Sequence, residues 1–162
     1  MKTVYKPFAL LAAALAVTAF AAAGCGSSSE QKTAAEDADV KTQVEQVCRE
    51  AASELKGLEM PTDQAAAVKT QRQSAQIFQT ATGKLNELGA NVELPADYKS
   101  WIDAYAQLPD LNTRAAAAFS KSGITSDQAI EAGQKWEAQA RKANDLASKA
   151  GLTSCAVGQP KG

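Results

Sequence analysis

The most nucleophilic side chains of this 162-residue chain are three cysteines, Cys25, Cys48 and Cys155, and no histidine accompanies them. Without an imidazole there is no Ser-His-Asp or Cys-His nucleophile, no zinc site of the usual His-containing kind and no Glu-x-x-His di-iron pair. Cys48 and Cys155 lack the Cys-x-x-Cys spacing of redox enzymes, and neither a Gly-rich phosphate loop nor a Gly-x-Ser-x-Gly elbow occurs. Acid pairs such as Glu50 with Glu54 and Asp37 with Asp39 have the chemistry to hold Ca²⁺ or to act as acid and base. They alternate with lysines and arginines at helical spacing, which is the pattern of a solvated face. No catalytic residue, cofactor or metal site is expected. The remaining chemistry is aromatic: Tyr98, Trp101 and Tyr105 share one helical stretch and Trp136 lies on the next. As a pocket wall they bring polar handles to an apolar ligand or partner surface, and at helical spacing they equally serve as plain core. Both readings stay open at this point.

The elements that position these residues begin with an export segment. Lys2 and Lys6 precede an uncharged run from Pro7 to Ala23, rich in Ala, Leu, Val and Phe, which closes on Ala22-Ala23-Gly24-Cys25. That is the layout of a secretory signal, and the run is short for the ~20 apolar residues of a membrane span. The residues alone allow cleavage after Ala21 or Ala23, leaving Cys25 a thiol, and also an uncleaved anchor helix. The ending resembles the lipobox of bacterial lipoproteins, with Ala23 and Gly24 at its small positions and Ala22 where Leu is usual. The resemblance implies that Cys25 takes a diacylglyceryl group on sulfur, becomes the first residue after cleavage and is acylated on its amine, with palmitate among the chains. Two or more acyl chains anchor a protein stably, at about 0.8 kcal/mol per buried methylene. The expected location is the outer, extracytoplasmic face of the cell membrane.

With Cys25 assigned to lipid, Cys48 and Cys155 remain as one pair, and outside the cytoplasm a disulfide is the expected state. Two buried, unpaired thiols are the other reading. Removing residues 1–24 leaves 138 of the 162, enough for one compact domain. The removed segment takes Lys2 and Lys6 and no acid, so the 17 basic and 18 acidic residues of the whole chain become 15 and 18. So mild a charge, with no basic face, argues against a nucleic-acid partner.

Residues 25–34, Gly-Ser-rich, are expected to be a lipidated tether, residues 35–155 the folded domain and residues 156–162 a frayed tail. A first helix, capped at Thr33, Asp37 or Asp39, carries Val40, Val44, Val47, Cys48, Ala51, Leu55 and Leu58 at spacings of three and four. Thr62 is placed to cap a second helix that carries Phe78 and Leu85 and stops at Gly89. Pro95 suits the first turn of a third. Its apolar phase, Tyr98, Trp101, Ile102, Tyr105, Leu108, Asn112, Ala115 and Phe119, runs straight through Pro109. One long helix kinked near Leu108 is favoured over two short ones. Thr125-Ser-Asp-Gln128 reads as a capping box opening a fourth helix, with Ile124 stapled onto Ala129 and a Schellman stop at Gly151-Leu152. Short corners make neighbours antiparallel, so the expected fold is an all-α, up-down-up-down four-helix bundle with a disulfide joining the first helix to the C-terminal tail.

This arrangement resembles the small Ala-rich helical lipoproteins exported by high-GC Gram-positive bacteria. The resemblance rests on the lipobox, a cysteine in the first helix and the closing run Ala150-Gly151-Leu152-Thr153-Ser154-Cys155. It implies location and fold and leaves function open. By elimination the expected role is a non-catalytic binding or interaction module, taking an envelope protein or a small ligand. A structural spacer and a carboxylate- and tyrosine-based enzyme subunit are the other readings. Replacing Cys25 by Ala is expected to release the protein to the soluble fraction or stall the precursor. Intact-mass analysis checks this: a mature N-terminus at Ala22 or Gly24 without acyl mass contradicts the lipid assignment.

Overall fold

The computed structural model describes residues 28–158, with side chains from residue 38 onward; the segment expected to be a signal, Cys25 and residues 159–162 lie outside it. Among the described residues there are five α-helices and no strand: α1 (Ser28–Lys56), α2 (Gln64–Asn91), α3 (Ala96–Tyr105), α4 (Leu108–Ser122) and α5 (Asp127–Lys149), closed by a 3₁₀ turn at Thr153–Cys155. None of these helices is long and apolar enough to cross a membrane. α2 lies along α4, α4 along α5 and α3 against α5, whereas α1 meets α2 and the closing turn.

Local chemistry sets each boundary. α1 begins ahead of the start expected at Thr33 to Asp39. Asp63, not Thr62, caps α2, its carboxylate accepting from the Ala66 N–H at 2.8 Å. The helix then runs past Gly89, the expected stop, to Asn91. Gly89 is a point of close approach: a Cβ there would sit 2.9 Å from Leu94 Cδ1, so the missing side chain lets the buried Leu94 fold back on α2.

The helix expected to continue across Pro109 is divided into α3 and α4. Pro109 offers no N–H to the Tyr105 carbonyl and its ring crowds that group, and α3 ends at Tyr105. The neighbouring Ala104 carbonyl accepts from the Gln107 N–H at 3.4 Å and from Gln139 Nε2 of α5 at 2.7 Å. The cap of α5 is Ser126, whose hydroxyl accepts from the Ala129 N–H at 3.2 Å. Gln128 serves the corner differently from a capping box, its side-chain oxygen accepting from Ser122 Oγ at 2.7 Å. Ile124, expected as a staple, is 46% exposed. At the other end Gly151 adopts φ +68°, and the N–H groups of Gly151 and Leu152 donate to Ser148 and Ala147 at 3.1 and 2.8 Å, a Schellman stop with Leu152 buried.

The core is built from few large side chains. Val44, Phe78, Leu85, Trp101, Leu108 and Leu152 are essentially fully buried, and much of the rest is alanine: Ala67, Ala75 and Ala81 of α2, Ala115 and Ala116 of α4, and Ala140, Ala143 and Ala147 of α5. Alanine costs no side-chain entropy and suits helices, but each contributes little apolar area at about 25 cal/mol per Å². Covalent support offsets that. Cys48 and Cys155 form a disulfide with Cα atoms 4.9 Å apart, closing a sequence separation of 107 residues.

Residues beyond it, expected to fray, are held as far as Gly158. Asn144 Nδ2 donates to the Val157 carbonyl at 2.9 Å and its Oδ1 accepts from the Val157 N–H at 2.6 Å, burying Val157. Reduction of Cys48–Cys155 should lower unfolding stability by up to about 4.7 kcal/mol, the chain-entropy value for a loop near 100 residues. Urea midpoints with and without reductant check this, and an unchanged midpoint contradicts it.

Candidate ligand cleft

The aromatic residues singled out from the sequence divide into two groups. Tyr98 and Trp101 belong to the core, Trp101 with no exposed surface at all. Tyr105, one turn on from Trp101, stacks at 5.2 Å and 45° against it and meets Phe78 of α2 edge-on at 5.4 Å and 72°. Both separations fall in the favourable range for ring pairs. Phe78 and Tyr105, 1% and 3% exposed, reach the inner edge of a cleft of about 900 Å³, which the more exposed Trp136 of α5 also lines. The aromatic cluster thus runs from core to cleft, with Tyr105 at the boundary.

The opposite wall is α1 and the tail. Arg49, Ser53 and Lys56 line the cleft from α1, and Thr153 to Gly158 line it from the C-terminal segment, the disulfide itself forming part of the surface. That segment is fastened at three points. Besides the disulfide and the Asn144 clasp, Glu45 Oε1 accepts from the Thr153 N–H at 3.0 Å and its hydroxyl at 3.2 Å. Gly158, at φ +67°, passes so near Trp136 that a Cβ would meet its ring at 3.3 Å. Asn112 of α4, buried at a position that continues the apolar phase of its helix, spends Nδ2 on the Leu108 carbonyl at 2.9 Å and contributes a polar side to the floor.

Two indole N–H groups, of Trp101 and Trp136, are buried with no hydrogen-bond partner among the described residues. A buried unpaired donor is destabilising. Burial pushes the Tyr105 phenol above its ordinary value, because a phenolate at the edge of the core would lose its hydration.

A shallower depression of about 630 Å³ lies beside the α3–α4 break, lined by Asp110, Arg114 and Lys135 among others and by no aromatic. Lys142 lines it as well, and most of its other charges are paired. Arg114 meets Asp110 at 2.8 Å and Lys135 meets Glu131 at 2.6 Å, and the Lys135 hydrogen bond holds the Glu131 carboxyl below its ordinary value. Elsewhere on the surface Lys84 meets Glu50 at 2.7 Å, lowering the Glu50 carboxyl. The acid pair Glu50 and Glu54 is thereby part of a solvated face, and the described residues contain no group of three metal-capable side chains.

Of the residues lining the cleft, Tyr105 and Trp136 are expected from the sequence, whereas Phe78, Asn112, Arg49, Lys56 and the tail are not. Phe78 and Asn112 were visible as members of apolar stripes. The tail carried no periodic signal, since its position depends on contacts more than 100 residues away in sequence, as the disulfide's separation of 107 shows. No protein-family model, curated protein or solved structure matches this chain.

The Tyr105 environment predicts a pH dependence. The neutral phenol is favoured in the folded state and the unfolded chain ionises near pH 10, so the contribution is complete below about pH 10 and is lost as pH rises beyond it. Tyr105→Phe should flatten the alkaline fall of the urea midpoint. Equal slopes for the two proteins would show that Tyr105 is not the group responsible.

Proposed function

We propose that this protein is a lipid-anchored, extracytoplasmic binding module, non-catalytic, whose ligand site is the cleft between α1, α2, α5 and the disulfide-held tail. The observation that carries the reading is the cleft itself: about 900 Å³, floored by Phe78, Tyr105 and Trp136 and edged by polar side chains. Small-molecule sites commonly have this size and this mixture of apolar walls with a few polar groups. Its tail wall is fixed by a covalent bond and side-chain hydrogen bonds, so little order has to be gained on binding.

The anchoring half of the proposal is supported by the sequence, where the signal layout and the Ala-Ala-Gly-Cys ending resemble a lipobox with Cys25 as the acylated residue. The absence of histidine from the whole chain favours binding over catalysis. The same reading takes α3 and α4 as two arms of one bent helix in an up-down-up-down bundle. It is supported by the αR backbone of Ala106 and Gln107, which continues the helical turn between them.

Ser74→Trp, which places a large ring in the cleft from α2, is the decisive variant. Small amphiphiles that bind the wild-type protein in ligand-observed NMR should lose binding at least about ten-fold, while the melting temperature changes little because Ser74 is only half-buried. Compounds that bind the variant equally well would place the site elsewhere. An absence of any binder would favour the spacer reading.

A further inference from the structure

The proposal above leaves the ligand's chemistry open, and the charges around the cleft narrow it. Two cations, Arg49 and Lys56, line the cleft, and no aspartate or glutamate does. This stands out in a chain with 18 acids and 17 bases. Of the acids flanking Arg49 and Lys56 on α1, Glu50 pairs with Lys84 at 2.7 Å, Glu45 accepts from the Thr153 N–H and hydroxyl at 3.0 and 3.2 Å, and Glu54 is exposed and does not line the cleft. Arg49 keeps a loose ion pair with Glu45 at 3.7 Å and reaches Ser154 Oγ at 3.5 Å, with more than half of its side chain still exposed. Lys56 has no ion-pair partner among the described residues.

Both cations stand on α1, seven residues and two turns apart, so they edge one wall of the cleft while Phe78, Tyr105 and Trp136 form its apolar floor. Resting on the reading of the cleft as the ligand site, we infer that the ligand is a small anionic amphiphile. A carboxylate or phosphate head would face Arg49 and Lys56, and an apolar body would lie on the three rings. The same head occurs on free acids and on membrane lipids. The length of α1 favours the free molecule: with the helix standing away from the membrane, Cys48 lies twenty residues beyond Ser28, about 30 Å at 1.5 Å per residue. A bilayer lipid would have to leave the membrane to cover that distance.

Equilibrium dialysis of radiolabelled decanoate, decyltrimethylammonium and decyl maltoside tests this, each below its micelle concentration. The protein is acylated at Cys25 and held in phosphatidylcholine vesicles, and partitioning into empty vesicles is subtracted. Decanoate is expected to bind most tightly. Arg49→Gln and Lys56→Gln should each weaken it by about three- to five-fold, as expected of half-exposed ion pairs, and leave decyl maltoside unchanged. Raising the salt should weaken decanoate alone.

Equal binding of the three probes, preference for the ammonium, or decanoate binding unchanged in both charge variants would overturn the anionic class. The cleft reading would survive those results if Ser74→Trp still abolished binding. Failure of all three probes overturns the class as well, and the cleft reading then falls only if the wider amphiphile screen also finds nothing. Binding to phosphatidylglycerol vesicles in place of free decanoate would overturn the assignment to a free molecule.

Discussion

The Cys48–Cys155 bond is the constraint on which the rest of this structure depends. α1 meets α2 and the closing turn, so the covalent link to Cys155 is what ties its C-terminal half to the end of α5. The tail is too short and too polar to hold its place by apolar burial alone, and Leu152 and Val157 are its main buried side chains. The disulfide fixes the tail at its middle, the Schellman stop fixes it before, and the Asn144 clasp fixes it after. The tail, which lies against Trp136 at Gly158, forms one edge of the cleft that Tyr105 and Trp136 also line. The redox state of one bond therefore couples the stability of the domain to the shape of the aromatic cleft that its tail edges.

An alanine-rich core gives the few large side chains unusual leverage. Trp101 fills the interior where α3 enters the bundle, and Tyr105 carries the aromatic contact outward to Phe78 and the cleft. Structural core and candidate site are one continuous cluster, so substitutions at Tyr105 must affect both packing and binding. Trp136 and Ser74, which lie nearer solvent, separate the two effects better.

Much of the helical plan was legible in the sequence because it is written in local chemistry. The stripe from Val40 to Leu55, the Schellman stop at Gly151-Leu152 and the pairing of Cys48 with Cys155 were all expected from spacing, turn chemistry and the count of cysteines. The misplaced boundaries share a cause: neighbouring residues with nearly equal local preference, decided by tertiary contacts. Asp63 and Thr62 are both good caps, as are Ser126 and Thr125, and Gly89 looked like a stop until Leu94 was seen to need its missing side chain. The unbroken apolar phase across Pro109 allows one bent helix or two short ones, because α3 and α4 bury the same face. The cleft was least legible. Its two walls come from opposite ends of the chain, and Arg49 and Lys56 look like any solvated helix face until the tail is set beside them.

The account stands or falls on what occupies the space between the three rings and the strap. A crystal structure of the protein grown with decanoate examines it most directly. The account predicts an alkyl chain resting on Phe78, Tyr105 and Trp136 with its carboxylate turned toward Arg49 and Lys56, and the tail unmoved. Decanoate seated elsewhere, or a tail that closes over the rings and leaves no room, would contradict it.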